Sequence, residues 1–144
     1  MSEPIGLDAL ENLIRHDLDR MAYPAQAWVA PRRESHADDI LNCAIIGGGQ
    51  YGLAAAFALA RECVPDVRVF DSNPAGQEGP RVMWMEYLAW YREILDIPVQ
   101  NDSLVEDIAP VGDDLLRLTL NRAGETETLL ARSVIVATGK GCKK

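Results

Sequence analysis

Residues 40–71 read ILNCAIIGGGQYGLAAAFALARECVPDVRVFD, and the order of residue types in that stretch decides the fold. Ile40 to Ile46 is apolar except at Asn42, the pattern of a strand buried on both faces. It runs directly into Gly47, Gly48 and Gly49. Gln50 to Cys63 is rich in Ala and Leu and free of proline, which predicts a helix closed by Pro65. Val67, Val69 and Phe70 then form a short strand ending at Asp71. Strand, glycine turn, helix and strand within about thirty residues make a right-handed parallel βαβ unit.

Downstream, residues 72–80 (SNPAGQEGP) are turn and loop formers. Val82 to Leu95 reads as a helix rich in Met, Trp and Tyr, stopped by Pro98, and Val99 starts a third parallel strand. Short strand signals follow at Leu104 to Ile108 and at the alternating Leu116, Leu118 and Leu120. Asn121 to Gly124 is a hairpin turn, Thr126 to Leu130 a return strand, and Ser133 to Ala137 a separate apolar strand. Upstream, Leu7, Leu10, Ile14, Leu18 and Met21 make one apolar stripe on a helix. The expected fold is α/β, a Rossmann-like parallel sheet with flanking helices and a small antiparallel β-meander. The expected divisions are an N-terminal helix and connecting arm at 1–39, a dinucleotide-binding domain at 40–139 and a tail at 140–144.

Gly47-x-Gly49-x-x-Gly52 after a strand and at the start of a helix is the dinucleotide fingerprint in its proper context. Gly47 permits the tight turn, Gly49 lets backbone approach a pyrophosphate, and Gly52 lets the helix pack closely on the sheet. The helix-start N–H groups, in the segment Gly48, Gln50 and Tyr51, and the helix dipole suit phosphate charge. Asp71 suits ribose hydroxyls, and Ser72 and Asn73 beside it bring no cation to meet a 2′-phosphate. NADP is therefore disfavoured in this first site.

The chain has 144 residues, with 14 Lys and Arg against 22 Asp and Glu, a formal net charge of −8. That balance disfavours nucleic acid and anionic membrane surfaces. No apolar run approaches the length of a membrane span, and the amino terminus lacks a secretory pattern. Cys43, Cys63 and Cys142 form no CxxC pair, and His16 and His36 have no partner at ligand spacing, so no metal site is expected. Unpaired cysteines point to the cytoplasm. No nucleophile, acid or base stands out, and the catalytic residues are unknown from the sequence.

A β-meander before a last strand that ends in Ala137-Thr138-Gly139 resembles the two-dinucleotide-binding flavoproteins, the glutathione-reductase-like and flavin-monooxygenase-like FAD/NAD(P)-binding oxidoreductases. The runs CAIIGGGQYGLAAAFALARE, VFDSNPAGQEGP, MWMEYLAWYREILDIPVQND and ARSVIVATG carry the narrower likeness, and the arm PAQAWVAPR fits it. The resemblance implies that the fingerprint holds the ADP part of FAD, that Asp71 binds its ribose, and that Ala137, Thr138 and Gly139 approach the flavin nucleotide. It implies NAD(P)H as second substrate in a full-length form. Such proteins carry a longer stretch after Gly79-Pro80 and a second glycine fingerprint. Here Pro80 joins Arg81 directly and one fingerprint is present, so the chain reads as a shortened form, weakly active or inactive alone. Two other readings remain open: a non-catalytic NAD or ADP-ribose module, and a structural domain with an empty site. Trp84, Leu88, Tyr91 and Leu95 read as one buried stripe or as a wall against the flavin. Arg81 reads as a solvated residue or a phosphate partner.

Overall fold

A computed structural model describes residues 6–23, 40–75 and 82–139. The arm PAQAWVAPR, the Pro80–Arg81 junction and Cys142 lie outside the described residues. The elements in chain order are α1 (Leu7–Arg20), β1 (Ile40–Ile46), α2 (Gln50–Arg61), β2 (Val67–Phe70), α3 (Val82–Ile94), β3 (Val99–Gln100), β4 (Ser103–Val111), β5 (Leu115–Arg122) and β6 (Glu125–Val136). The strands form one sheet in the order β3-β2-β1-β6-β5-β4. β3, β2, β1 and β6 are parallel, and β6, β5 and β4 are antiparallel.

The two strands expected at 126–130 and 133–137 are one strand. The first part of β6 pairs antiparallel with β5, from Glu125 opposite Arg122 to Ala131 opposite Leu116. Its last part pairs parallel with β1, from Leu130 opposite Ile40 to Val136 opposite Ile46. Ala131-Arg132 holds neither Gly nor Pro, so nothing interrupts the extended backbone where the partner changes.

Both faces of the central strands are covered, as their apolar runs require. Cys43, Ile45 and Val69 join Leu53 and Ala56 of α2, Leu88 and Ile94 of α3, and Leu18 of α1 in one core. The residues next to them, Ala44 and Phe70, face the other way, into Leu118, Leu120, Leu129 and Ala131 of the antiparallel part. α1 is tied to this body by Tyr23, whose hydroxyl donates to the Leu95 carbonyl at 2.8 Å. Trp90 Nε1 also donates to Glu11 Oε1 at 2.6 Å.

Two apolar stripes are shorter than expected. On α1, Ile14 and Leu18 pack inward while Leu7, Leu10 and Met21 are exposed. On α3, Leu88 and Leu95 are buried and Tyr91 packs against the core, but Trp84 is exposed and stacks on Tyr87 at 5.3 Å. The whole first turn, Val82 to Trp84, stands clear of the core.

The three helices end alike. After α1, Ala22 turns left-handed (φ 53°), its N–H reaching Asp19 and the Tyr23 N–H reaching Leu18. After α2, Cys63 (φ 59°) and Val64 reach Ala60 and Leu59; after α3, Asp96 (φ 51°) and Ile97 reach Glu93 and Arg92. These bonds satisfy terminal carbonyls in the geometry where glycine is usual. The expected extension of α2 to Cys63 stops at Arg61 because Cys63 has left the helical region.

Candidate functional site

β1 ends at Ile46 and the glycine turn begins where β6 closes against it. Ala137 N–H donates to the Ile46 carbonyl at 2.8 Å, and Gly47 N–H to the Phe70 carbonyl at 2.8 Å. Gly47 has φ +112°, and a Cβ there would strike the Ala137 carbonyl oxygen. This turn is therefore pressed against the strand end Ala137-Thr138, which the fold brings beside it. A Cβ on Gly52, in the first turn of α2, would strike the Gly47 carbonyl oxygen. Helix and turn meet backbone to backbone at that point.

Gly49 caps α2 in an ordinary extended conformation (φ −78°, ψ −171°) and provides no side-chain cap. The first helical N–H groups, those of Gln50, Tyr51 and Gly52, accordingly have no intrahelical acceptor. They lie at the positive end of the helix dipole, where an anion is favoured. Tyr51 is exposed beside them. Gly139 (φ +71°) is exposed in open space after Thr138.

Asp71, at the end of β2, is buried with only 7% of its surface exposed. Its Oδ2 accepts from the Gly48 N–H at 2.6 Å and its Oδ1 from the Asn73 N–H at 2.8 Å. A Cβ on Gly48 would come to 3.2 Å from that carboxylate. Each carboxylate oxygen keeps a second lone pair for an outside donor. Ser72 and Asn73 are exposed. The site thus combines unpaired donors at a helix start, a glycine cradle and an oriented carboxylate, which suits a phosphate and a ribose diol of one ligand.

The pattern of residue types did not reveal the segment that braces this corner. Asp71 N–H donates to the Gln100 carbonyl at 3.0 Å, and Ser103 N–H to the Asp71 carbonyl at 2.9 Å. Asn73's carbonyl accepts from the Asp102 N–H at 3.2 Å and from Asn101 Nδ2 at 3.1 Å. The polar run Gln100-Asn101-Asp102-Ser103 after Val99 is the one sequence signal of this brace. Cys43 plays no part: burial pushes its thiol pKa up, away from reactivity.

These features are those of an α/β domain with a Rossmann-like glycine turn and an acidic second-strand end. No family model matches the chain. In sequence it is 33% identical, over 184 residues, to the FAD-dependent urate hydroxylase of Xanthomonas campestris pv. campestris, covering 94% of this chain and 38% of that protein. In structure it is similar to a flavoprotein/dehydrogenase from Cytophaga hutchinsonii, with a TM-score of 0.62 and 15% identity over 72% of this chain and 40% of the other. It is also similar to OTEMO, solved in complex with FAD and NADP, with a TM-score of 0.56 and 18% identity over 69% of this chain and 25% of the other. In sequence the chain is similar to an FAD-dependent oxidoreductase, and it has the fold that these flavoproteins share. It spans well under half the length of the curated relative, 38%. The alignment with that relative covers 184 positions against 144 residues here, so at least 40 positions of the matched region have no counterpart in this chain.

Proposed function

We propose that this chain binds FAD through its ADP half, as part of a flavin-dependent oxidoreductase or monooxygenase that draws electrons from NAD(P)H. The observation that carries the reading is the Asp71 carboxylate, anchored on the Gly48 N–H directly beside the open start of α2. In this reading the N–H groups of Gly49, Gln50, Tyr51 and Gly52 hold the pyrophosphate, and Asp71 accepts from the ribose hydroxyls. The backbone of Ala137, Thr138 and Gly139 lies along the rest of the nucleotide. When bound, the flavin supplies the electron-transfer chemistry, and the residues of this chain bind and orient it. Neither Cys43 nor Cys63 is paired, which supports a reducing, cytoplasmic setting. Among the described residues no helix is long and apolar enough to cross a membrane.

The test is a visible spectrum of the purified protein with FAD added back, followed by calorimetric titration of wild type and Gly49→Val with FAD and ADP. Gly49 has a backbone conformation open to any residue, so the valine variant is expected to stay folded and lose nucleotide binding. Unchanged affinity in the variant removes the pyrophosphate from this turn. Stabilisation by NAD but not by FAD would favour a nicotinamide dinucleotide instead.

A further inference from the structure

The carboxylate of Asp71 is set from two sides, and the two sides differ in firmness. The Gly48 N–H comes from a turn built into β1 and α2. The Asn73 N–H comes from an exposed turn outside any helix or strand. That turn is braced through the Asn73 carbonyl, by the Asp102 N–H and by the side chain of Asn101. Asn101 is itself oriented by α3, because Arg92 Nη1 donates to its Oδ1 at 2.9 Å. The amide thus accepts from a cation with its oxygen and donates to a carbonyl with its nitrogen, an orientation that fixes which end is which. Asp102 offers only a backbone group. Asn101 is the side chain that links the turn to a helix outside the local loop.

We propose that Asn101, held by Arg92, is a positioning residue for ribose recognition. It fixes residues 71–73 so that the free lone pairs of Asp71 are presented to the vicinal hydroxyls of an adenosine ribose. This rests on the reading of Asp71 as the ribose acceptor. An acceptor ordered in advance spares the ligand the entropy of ordering it. The benefit is confined to hydroxyl recognition, because the phosphate donors belong to the glycine turn and do not pass through Asn101.

The probes are ADP and 2′,3′-dideoxy-ADP, titrated calorimetrically into the full chain. Wild type is expected to prefer ADP by about 10-fold or more, the scale of hydrogen bonds to a charged group. Asn101→Leu is expected to cut that preference below about 3-fold while leaving dideoxy-ADP affinity within about 2-fold of wild type. Arg92→Lys, which keeps a cationic donor, should retain the preference, and Arg92→Met should lose it. Should the leucine variant fail to fold, Asn101→Asp carries the same test, since it keeps the acceptor for Arg92 and removes the donor to Asn73. Absence of any ADP preference in wild type overturns the ribose reading of Asp71 and this proposal with it. A wild-type preference that survives every Asn101 variant overturns this proposal alone. Equal loss of both ligands makes Asn101 a general structural residue and also overturns it.

Discussion

The two ends of the parallel sheet solve the same backbone problem with different residues. At the site end, Gly47 is left-handed and Gly52 is not, yet both are glycine, because a Cβ on either would enter a neighbouring carbonyl. At the opposite end, Ala22, Cys63 and Asp96 are all left-handed, and none is glycine. These three helix ends gather around one cavity of about 180 Å3, lined among others by Tyr23, Val64, Asp66, Asp96 and Pro98. The lesson is that left-handed backbone costs a side chain only about 1–2 kcal/mol, a cost a folded domain absorbs. Collision with backbone is a different order of obstacle. Gly47 and Gly52 stand where two pieces of main chain touch, and there no side chain fits.

Five substitutions probe this contrast. The largest effect is expected for Gly52→Ala, whose methyl group must push α2 off the glycine turn. Overpacking of this kind against main chain is expected to destabilise the fold by about 3 kcal/mol or more, read as a shift in the urea midpoint. A loss below about 1 kcal/mol would mean that helix and turn separate freely, and the steric distinction between the two ends would disappear.

Asp71→Ala comes next. It should weaken FAD binding by about 1–3 kcal/mol in a calorimetric titration. It also leaves the Gly48 and Asn73 N–H groups without their carboxylate, so a lower melting temperature is expected without nucleotide. Unaltered FAD affinity would detach the carboxylate from the ligand.

The opposite end has its own polar tie in Tyr23. Burial pushes the Tyr23 phenol pKa above its ordinary value, with the charge of Asp96 adding to the effect, and burial does the same to Tyr91. The folded protein therefore holds these protons more tightly than the unfolded chain does. Their contribution to stability is intact below about pH 10 and is lost as pH rises through the raised folded values. Tyr23→Phe should cost about 1 kcal/mol at neutral pH through the lost bond to Leu95, and should flatten the decline of stability above about pH 10. An alkaline denaturation curve with the wild-type slope would count against this.

Smallest, and opposite in sign, are Ala22→Gly and Cys63→Gly. Relief of left-handed strain exceeds the added freedom of the unfolded chain, and each should raise stability by roughly 0.5 kcal/mol. A fall in melting temperature for both would show that these side chains contribute packing that outweighs their strain.

Much of the site end was legible because its constraints act on side chains. The apolar run at 40–46, Gly47 and Gly52 of the fingerprint and the acid closing β2 each exclude most other residues, so their spacing points to one arrangement. Where backbone does the work, the pattern is silent. Gln100, Asp102 and Ser103 brace Asp71 and its turn through main-chain N–H and carbonyl groups that any residue carries. The stop of α2 at Arg61 was hidden because the left-handed residue after it is a cysteine and not a glycine. The fusion of two expected strands into β6 was hidden for a related reason: a change of partner leaves no mark in local composition. Trp84 departs from the buried-stripe reading because helical spacing reports a common face of α3 but not where the core stops along it.

The double pairing of β6 also sets an order of assembly. β1 is central in the sheet, and Cys43 within it lies opposite Ser133, 90 positions later in the chain. On a ribosome, β1, α2 and β2 emerge together and can associate, yet one hydrogen-bonding edge of β1 stays open until β6 has left the exit tunnel. Loop closure over so long a span makes such pairing slow. The meander is then more than a cover for one face. Its β5 strand pairs with the first part of β6 while the last part lies on β1, so one continuous strand ties the two registers together.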